Sequence, residues 1–336
     1  MHKSHTCPKG RVVQHWIDSQ AVANNMLGDP ARRRVDVYIP AGHNGSGLPL
    51  LVDIVGFTGG GPGHTNWKNF GENVPERADR LIASGEMAPC IIAFPDCFTR
   101  LGGNQYVNSI AMGNWADFLT TELLDFVEGT YGCGGAGKRG IFGKSSGGYG
   151  AMMHALMHPD IWSAAACHSG DMGFDLMFAS DFAFTLRRIA RHGGTIERFM
   201  AAFEANPKPA GDDIHALMIL AMAASYDPDP EAYLGIRLPV TMDTCEMDPV
   251  AWKRWKKSDP LELVETRSEG LKSMKALYID CGDVDQYNLL YGARRMHKRL
   301  TALGVDHIYQ EFPDDHSSVD YRMDVSLPIL AKALAG

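Results

Sequence analysis

The chain has 336 residues, 45% hydrophobic and 21% charged, which is ordinary globular composition with enough apolar mass for a large core. Its net charge of −8 argues against a polyanionic partner such as nucleic acid. No stretch approaches the ~20 apolar residues of a membrane span, and the start, MHKSHTCPKGRVVQHW, lacks the apolar run of a secretory leader. The expectation is a soluble cytoplasmic protein with no membrane partner.

Strand and helix patterns alternate through the first half. Residues 34–40 (RVDVYIP) alternate with period two, as a strand with one exposed face would. Residues 48–57 (LPLLVDIVGF) and 88–95 (APCIIAFP) are nearly continuous apolar runs, as strands buried on both faces are. Helical spacing follows each, over 66–84 and 114–129. A short strand at 139–142 runs into a glycine-rich turn and a helix over 148–158, and 162–168 reads as another strand.

From 171 to 272 the strand signal fades. FAFTLRRIARHGG, TIERFMAAFEANPKP and DDIHALMILAMAASYDPDP read as helices separated by Gly and Pro. Strand patterns return at 274–281 and 307–312, with a helix over 289–303 between them and another at the end. This order predicts an α/β fold with a mostly parallel central sheet, formed by residues 1–170 and 273–336, and a helical insertion or cap over 171–272.

Seven scattered cysteines without a CxxC pair give no disulfide framework; Cys90, Cys167 and Cys281 lie in or beside apolar runs and read as core thiols. Arg32-Arg33-Arg34 and the 253–257 stretch read as solvated faces.

Gly143-Lys144-Ser145-Ser146-Gly147 matches G-x-S-x-G, with a strand running in and a small-residue helix running out. That context is what a nucleophile elbow requires: the serine takes a strained backbone conformation and the flanking glycines avoid clashes. Ser145 is the expected nucleophile, because the register on Ser146 would put Lys144 in place of the first glycine. The backbone N–H of Ser146 then points to an oxyanion.

A serine nucleophile needs a base, and the base an acid to hold its tautomer; where the serine sits on a nucleophile elbow of this kind, the chain order is Ser, Asp/Glu, His, the latter two on loops after late strands. Of thirteen histidines only His316, in FPDDHSSVDYR, lies in a loop after the last strand. His154 and His158 lie at i, i+4 without the HExxH register of a zinc site, and His2, His5 and Cys7 make at most an adventitious metal site, so no metal is expected. For the acid, Asp283 and Asp285 both follow the strand at 274–281, and periodicity does not separate them. Asp314 and Asp315 adjoin His316 and read as turn-shaping residues. The loop Gly56-Phe57-Thr58-Gly59-Gly60-Gly61-Pro62-Gly63 lets backbone N–H groups approach a bound acyl group, and Phe57 N–H is the expected second oxyanion donor; no GK[ST] follows to make it a phosphate loop.

With these residues placed, the chain resembles the branch of the α/β-hydrolase superfamily that holds esterase D (S-formylglutathione hydrolase), feruloyl esterases, enterochelin-esterase-like proteins and mycolyltransferases. The likeness rests on VDIVGFTGG, FPDCFTRLGGNQYVNS, GKSSGGYGAM, YIDCGDVDQYNL and DDHSS. It implies the α/β-hydrolase fold and a serine esterase. The family pattern G-x-x-D falls on Gly282 and Asp285 and implies Asp285 as the acid; D-H-S falls on Asp315, His316 and Ser317. Two departures stand out: Ser146 replaces a bulkier apolar residue of the esterase D members, and the 171–272 block is longer than theirs.

The expected function is carboxylic ester hydrolysis through an acyl-enzyme. The alternatives are an acyltransferase with the same triad, a serine peptidase, and a non-catalytic binding protein on a hydrolase scaffold. No cofactor is required, the partner is a small-molecule ester, and a homo-oligomer stays open. Phe178, Phe182, Met218, Met222, Trp252 and Trp255 either line an acyl site or form the insertion's own core. Phe57, Trp67 and Trp115 suit an aryl ester.

Overall fold

A computed structural model describes residues 6–336, so His2 and His5 lie outside the described residues. Eight strands form one sheet: β1 (Arg11–Asp18), β2 (Arg32–Ile39), β3 (Leu50–Ile54), β4 (Ile91–Pro95), β5 (Arg139–Lys144), β6 (Ala164–His168), β7 (Ala276–Gly282) and β8 (Ile308–Phe312). Their order across the sheet is β1-β2-β4-β3-β5-β6-β7-β8. β1 and β2 pair antiparallel, as do β2 and β4; all other neighbours are parallel. This is the α/β-hydrolase fold, with the carboxyl ends of β3, β5, β6 and β7 converging on one edge, where such sheets carry their sites.

Helices cover both faces. α1 (Val74–Ala83) lies on one face, and α2 (Leu123–Tyr131) and α3 (Ser146–Met157) on the other. Then come α4 (Phe174–Met177), α5 (Asp181–Arg191), α6 (Ile196–Ala205), α7 (Gly211–Tyr226), α8 (Pro249–Lys256) and α9 (Pro260–Leu271), all between β6 and β7. α10 (Leu289–Ala302) joins α3, and α11 (Met323–Ala335) joins α1, whose Val74 and Leu81 share a core with Met323, Leu327, Leu330 and Leu334.

Three sequence expectations change. β1 has no counterpart among the expected strands; it is an edge strand with mostly exposed or half-exposed residues, so no apolar run marks it. The helix expected over 66–84 begins only at Val74, where Asn73 caps the chain reciprocally with Glu76. The face of β2 expected to meet solvent is covered: the Tyr38 hydroxyl donates to Asp79 of α1 at 2.7 Å and Thr65 Oγ1 donates to Asp36 at 2.9 Å.

Arg33, expected on a solvated face, is buried; it donates to the Phe98 carbonyl at 2.9 Å and lies over the Trp115 ring. All seven cysteines are free, and Cys90, Cys167 and Cys281 are buried. No helix among the described residues is long and apolar enough to cross a membrane.

Candidate active site

β5 ends in a sharp turn at Ser145, whose backbone takes φ 57° and ψ −123°, and α3 starts at the next residue. A non-glycine residue in this region is strained and persists only where its surroundings hold it. Here the Ser145 N–H donates to the His168 carbonyl at 2.9 Å, and the Tyr149 N–H returns to the Ser145 carbonyl at 2.8 Å. The flanking glycines are required by space. A Cβ on Gly143 would sit 2.1 Å from the Ile54 carbonyl oxygen, and one on Gly147 only 2.0 Å from it. The turn is clamped against the end of β3.

Ser145 opens onto a cavity of about 320 Å³. Ser146 is buried beneath it: its hydroxyl accepts from Gln105 Nε2 at 2.7 Å and points at Asp171 Oδ2 at 3.4 Å. The Ser146 N–H belongs to the first turn of α3, where amides have no partner within the helix. Phe57 lines the same cavity, and its N–H meets no acceptor among the described residues. Its loop is fixed from behind, since a Cβ on Gly103 would lie 2.2 Å from the Phe57 carbonyl oxygen.

His316, in the loop after β8, lines the cavity and meets Asp285 Oδ2 through Nδ1 at 2.8 Å. A carboxylate accepts only, so Nδ1 carries the proton and Nε2 is left as an acceptor. Asp285 is buried, and its other oxygen accepts from the Tyr287 N–H at 2.9 Å and the Leu289 N–H at 3.4 Å. Gln286 Oε1 accepts the His316 N–H at 2.9 Å, tying the two loops together. Asp283 is exposed and takes no part. Asp314 and Asp315 shape the turn, accepting the N–H groups of Asp315 and Ser317 respectively.

Three charged or titratable residues that line the cavity, His64, Lys144 and Asp171, and Asp53 buried behind the first of them, had no role assigned from the sequence. Asp53 and His64 form a pair, His64 Nδ1 to Asp53 Oδ2 at 2.7 Å. Burial pulls the His64 imidazole down, but the charge and hydrogen bond of Asp53 outweigh it, leaving it above the usual histidine range. Lys144 lines the cavity beside Ser145. Asp171 is buried there too; burial and then the charge of Asp285 push its carboxyl up to about 7, against the pull of Ser146. The only advance sign was a charged residue inside or ending an otherwise apolar strand, as in LLVDIV and AAACHSGD.

A second buried histidine–carboxylate pair lies away from the cavity. His168 meets Asp280 at 2.7 Å and Ser326 at 2.8 Å, and Arg322 also donates to Asp280. Burial raises the Asp280 carboxyl, but His168, Arg322 and Tyr278 together hold it below the usual carboxylate range. His154 is likewise structural: Trp162 Nε1 donates to its Nδ1 at 3.0 Å, so Nε2 donates to the Tyr106 carbonyl at 2.9 Å.

The segment 171–272 supplies one wall of the cavity through Met177, Ile214, His215 and Met218. Of its large apolar residues singled out in the sequence, only Met218 faces the cavity. Phe178, Phe182, Trp252 and Trp255 pack edge-to-face among themselves, with Met222 buried in the same core. Trp115 is fully buried and Trp67 is exposed outside the cavity, so its rings come from Phe57 and Tyr287 instead.

A family model described as "Putative esterase" matches residues 29–327. No curated protein sequence matches the chain. Among solved structures, a ferulic acid esterase superposes with a TM-score of 0.63 at 20% identity, covering 97% of this chain and 99% of its own. An S-formylglutathione hydrolase from Staphylococcus aureus gives 0.57 at 14% identity, covering 99% and 100%. A ferulic acid esterase from Anaeromyces mucronatus, in complex with ferulic acid, gives 0.56 at 13%, covering 98% and 94%. At these identities the likeness is one of fold.

Proposed function

This chain belongs to the esterase family and is a carboxylic ester hydrolase, and we propose that Ser145 is its nucleophile, His316 its general base and Asp285 the acid that orients the base. In this reading Ser145 Oγ attacks the ester carbonyl while Nε2 of His316 takes its proton. Asp285 fixes the tautomer and stabilises the imidazolium that forms. The carbonyl oxygen, now an anion, takes the N–H groups of Phe57 and Ser146, aided by the positive end of α3. Collapse expels the alcohol, which receives the proton from His316, and leaves an acyl-enzyme. Water then attacks the acyl carbonyl by the reverse proton path and frees Ser145.

The observation that carries this is the strained backbone of Ser145 facing the same cavity as the imidazole held by Asp285. The residues 171–272 act in this reading as a cap, since Met177, Ile214 and Met218 close the cavity with apolar surface. An aryl acyl group would lie against that wall, next to Phe57 and Tyr287. Hydrolysis is favoured over acyl transfer only in that water needs no second binding site; a product assay with a competing alcohol separates the two.

The test is exposure to a fluorophosphonate probe followed by peptide mapping, beside Ser145→Ala. Stoichiometric labelling on Ser145, lost in the variant together with esterase activity by several orders of magnitude, is the expected result. Labelling elsewhere, or an active Ser145→Ala enzyme, overturns the assignment.

A further inference from the structure

The cavity beside Ser145 has two unlike sides. Met177, Ile214, Met218 and Leu289 make one side mostly apolar, with His215 beside them, whereas the loop after β3, the end of β5 and the segment after His316 bring His64, Lys144 and Asp320 to the other. On this polar side Lys144 is an anomaly. It is half-buried, and burial pulls its ammonium below the usual lysine range against the opposing fields of Asp320, Asp285 and Asp315. None of those carboxylates pairs with it. Asp320 is taken by Lys68 at 2.6 Å, Asp285 by His316 and two backbone amides, and Asp315 by the Ser317 N–H. Asp171, which also lines the cavity, is directed at Ser146. The Lys144 ammonium therefore has no hydrogen bond or ion pair among the described residues.

His64 faces the same cavity with a related property. Asp53 holds its Nδ1 and favours the charged ring, while Nε2 meets no partner among the described residues. Asp320 and Lys68, the other charged groups that face it, are bonded to each other. Two donors thus line one side of a reaction cavity: the Lys144 ammonium, which has no counter-ion among the described residues, and the Nε2 edge of His64, a ring that Asp53 biases toward the charged form. Withdrawing a cation from water without an anion is costly, and a ligand that brings the anion recovers that cost.

We propose that Lys144 and His64 form an anion subsite beside Ser145, and that the ester hydrolysed here carries a carboxylate that docks on it. The proposal rests on the assignment of Ser145 as nucleophile and adds the charge of the substrate. The carboxylate belongs either to the acyl group or to the leaving group, and both place the same chemistry on the same pair of donors.

Two matched pairs of esters test this. For the acyl side, 4-nitrophenyl hemiadipate is compared with 4-nitrophenyl hexanoate; for the leaving-group side, 4-acetoxybenzoate with phenyl acetate. Each kcat/KM is normalised to the alkaline hydrolysis rate of that ester. The expected result is that in one pair the wild-type enzyme favours the anionic ester at least about tenfold, which is what one charge-assisted hydrogen bond supplies. The ratio should fall to near unity in Lys144→Gln through a raised KM for the anionic ester, be retained in Lys144→Arg, and drop in His64→Asn.

No preference for a carboxylate in either pair, with the wild-type enzyme labelled on Ser145 by the fluorophosphonate, overturns the subsite and leaves the nucleophile standing. Equal loss on neutral and anionic esters in Lys144→Gln also overturns it, because that marks a role in holding the turn. Failure of Ser145 to label counts against the nucleophile instead. Should the Lys144 variants not fold, the wild-type ratios and His64→Asn decide the matter.

Discussion

Replacing Asp171 by Asn should stabilise the protein, and by an amount that depends on pH. Asp171 is buried against the cavity with only the Ser146 hydroxyl near it and no cation. Burial, and behind it the charge of Asp285, push its carboxyl up to about 7 from a usual 3.8. The folded protein therefore keeps a proton on Asp171 where the unfolded chain has released it. The stabilisation is complete below pH 3.8 and is lost as pH rises through about 7. At about 1.4 kcal/mol per pH unit, the full loss is about 4 kcal/mol, and the part falling between pH 5 and pH 8.5 is about 3 kcal/mol. Asn keeps the shape and an acceptor for Ser146 but does not ionise. Urea unfolding of the two proteins at pH 5 and pH 8.5 should show the variant gaining on the wild type by about 3 kcal/mol at the higher pH. A stability difference that is the same at both pH values would refute the reasoning, since a change in hydrogen bonding alone carries no pH dependence.

Other consequences can be measured alongside it. Asp285→Asn should lower kcat by about three to four orders of magnitude, because Nδ1 of His316 loses the acceptor that sets its tautomer, while Asp283→Asn, on an exposed side chain, should stay within about twofold; comparable losses in both would undo the choice of acid. Gly147→Ala puts a Cβ 2.0 Å from the Ile54 carbonyl and should cost about 3 kcal/mol or more with loss of Ser145 labelling, read by thermal unfolding and the probe together. His154, its pKa pushed down to about 3 by burial and then by His158, is charged only in the unfolded chain between pH 3 and pH 6.5. Stability should therefore fall as pH drops through that window, by about 3 kcal/mol between pH 7 and pH 4, and His154→Gln should flatten this slope in acid unfolding.

Much of the fold was legible because its signals are local. A strand buried on both faces must be a continuous apolar run, and LLVDI, IIAFP and AAACH show it. A serine held at φ 57° between close-packed backbones needs glycines two residues to either side, so the pentapeptide at 143–147 marks the turn by steric necessity. His316 stood out because a loop after the final strand is a place in the chain order, which a sequence displays directly. β1 was missed for the complementary reason: an edge strand with little burial carries no apolar pattern to read.

What only the tertiary structure decided concerns meetings between distant segments. Spacing alone left Asp283 and Asp285 equivalent; the folded loop turns one to solvent and places the other against an imidazole 31 residues away. Phe178, Phe182, Trp252 and Trp255 have the same apolar character as Met218, yet they pack on one another and Met218 faces the cavity. Lys144 read as the variable position of a motif until every nearby carboxylate proved to be held by another group. Backbone sterics and periodicity act within a few residues and are written along the chain. The partner of a charge, or the surface an aromatic ring covers, depends on which remote segments the sheet brings together, and the topology of β1-β2-β4-β3-β5-β6-β7-β8 settles that.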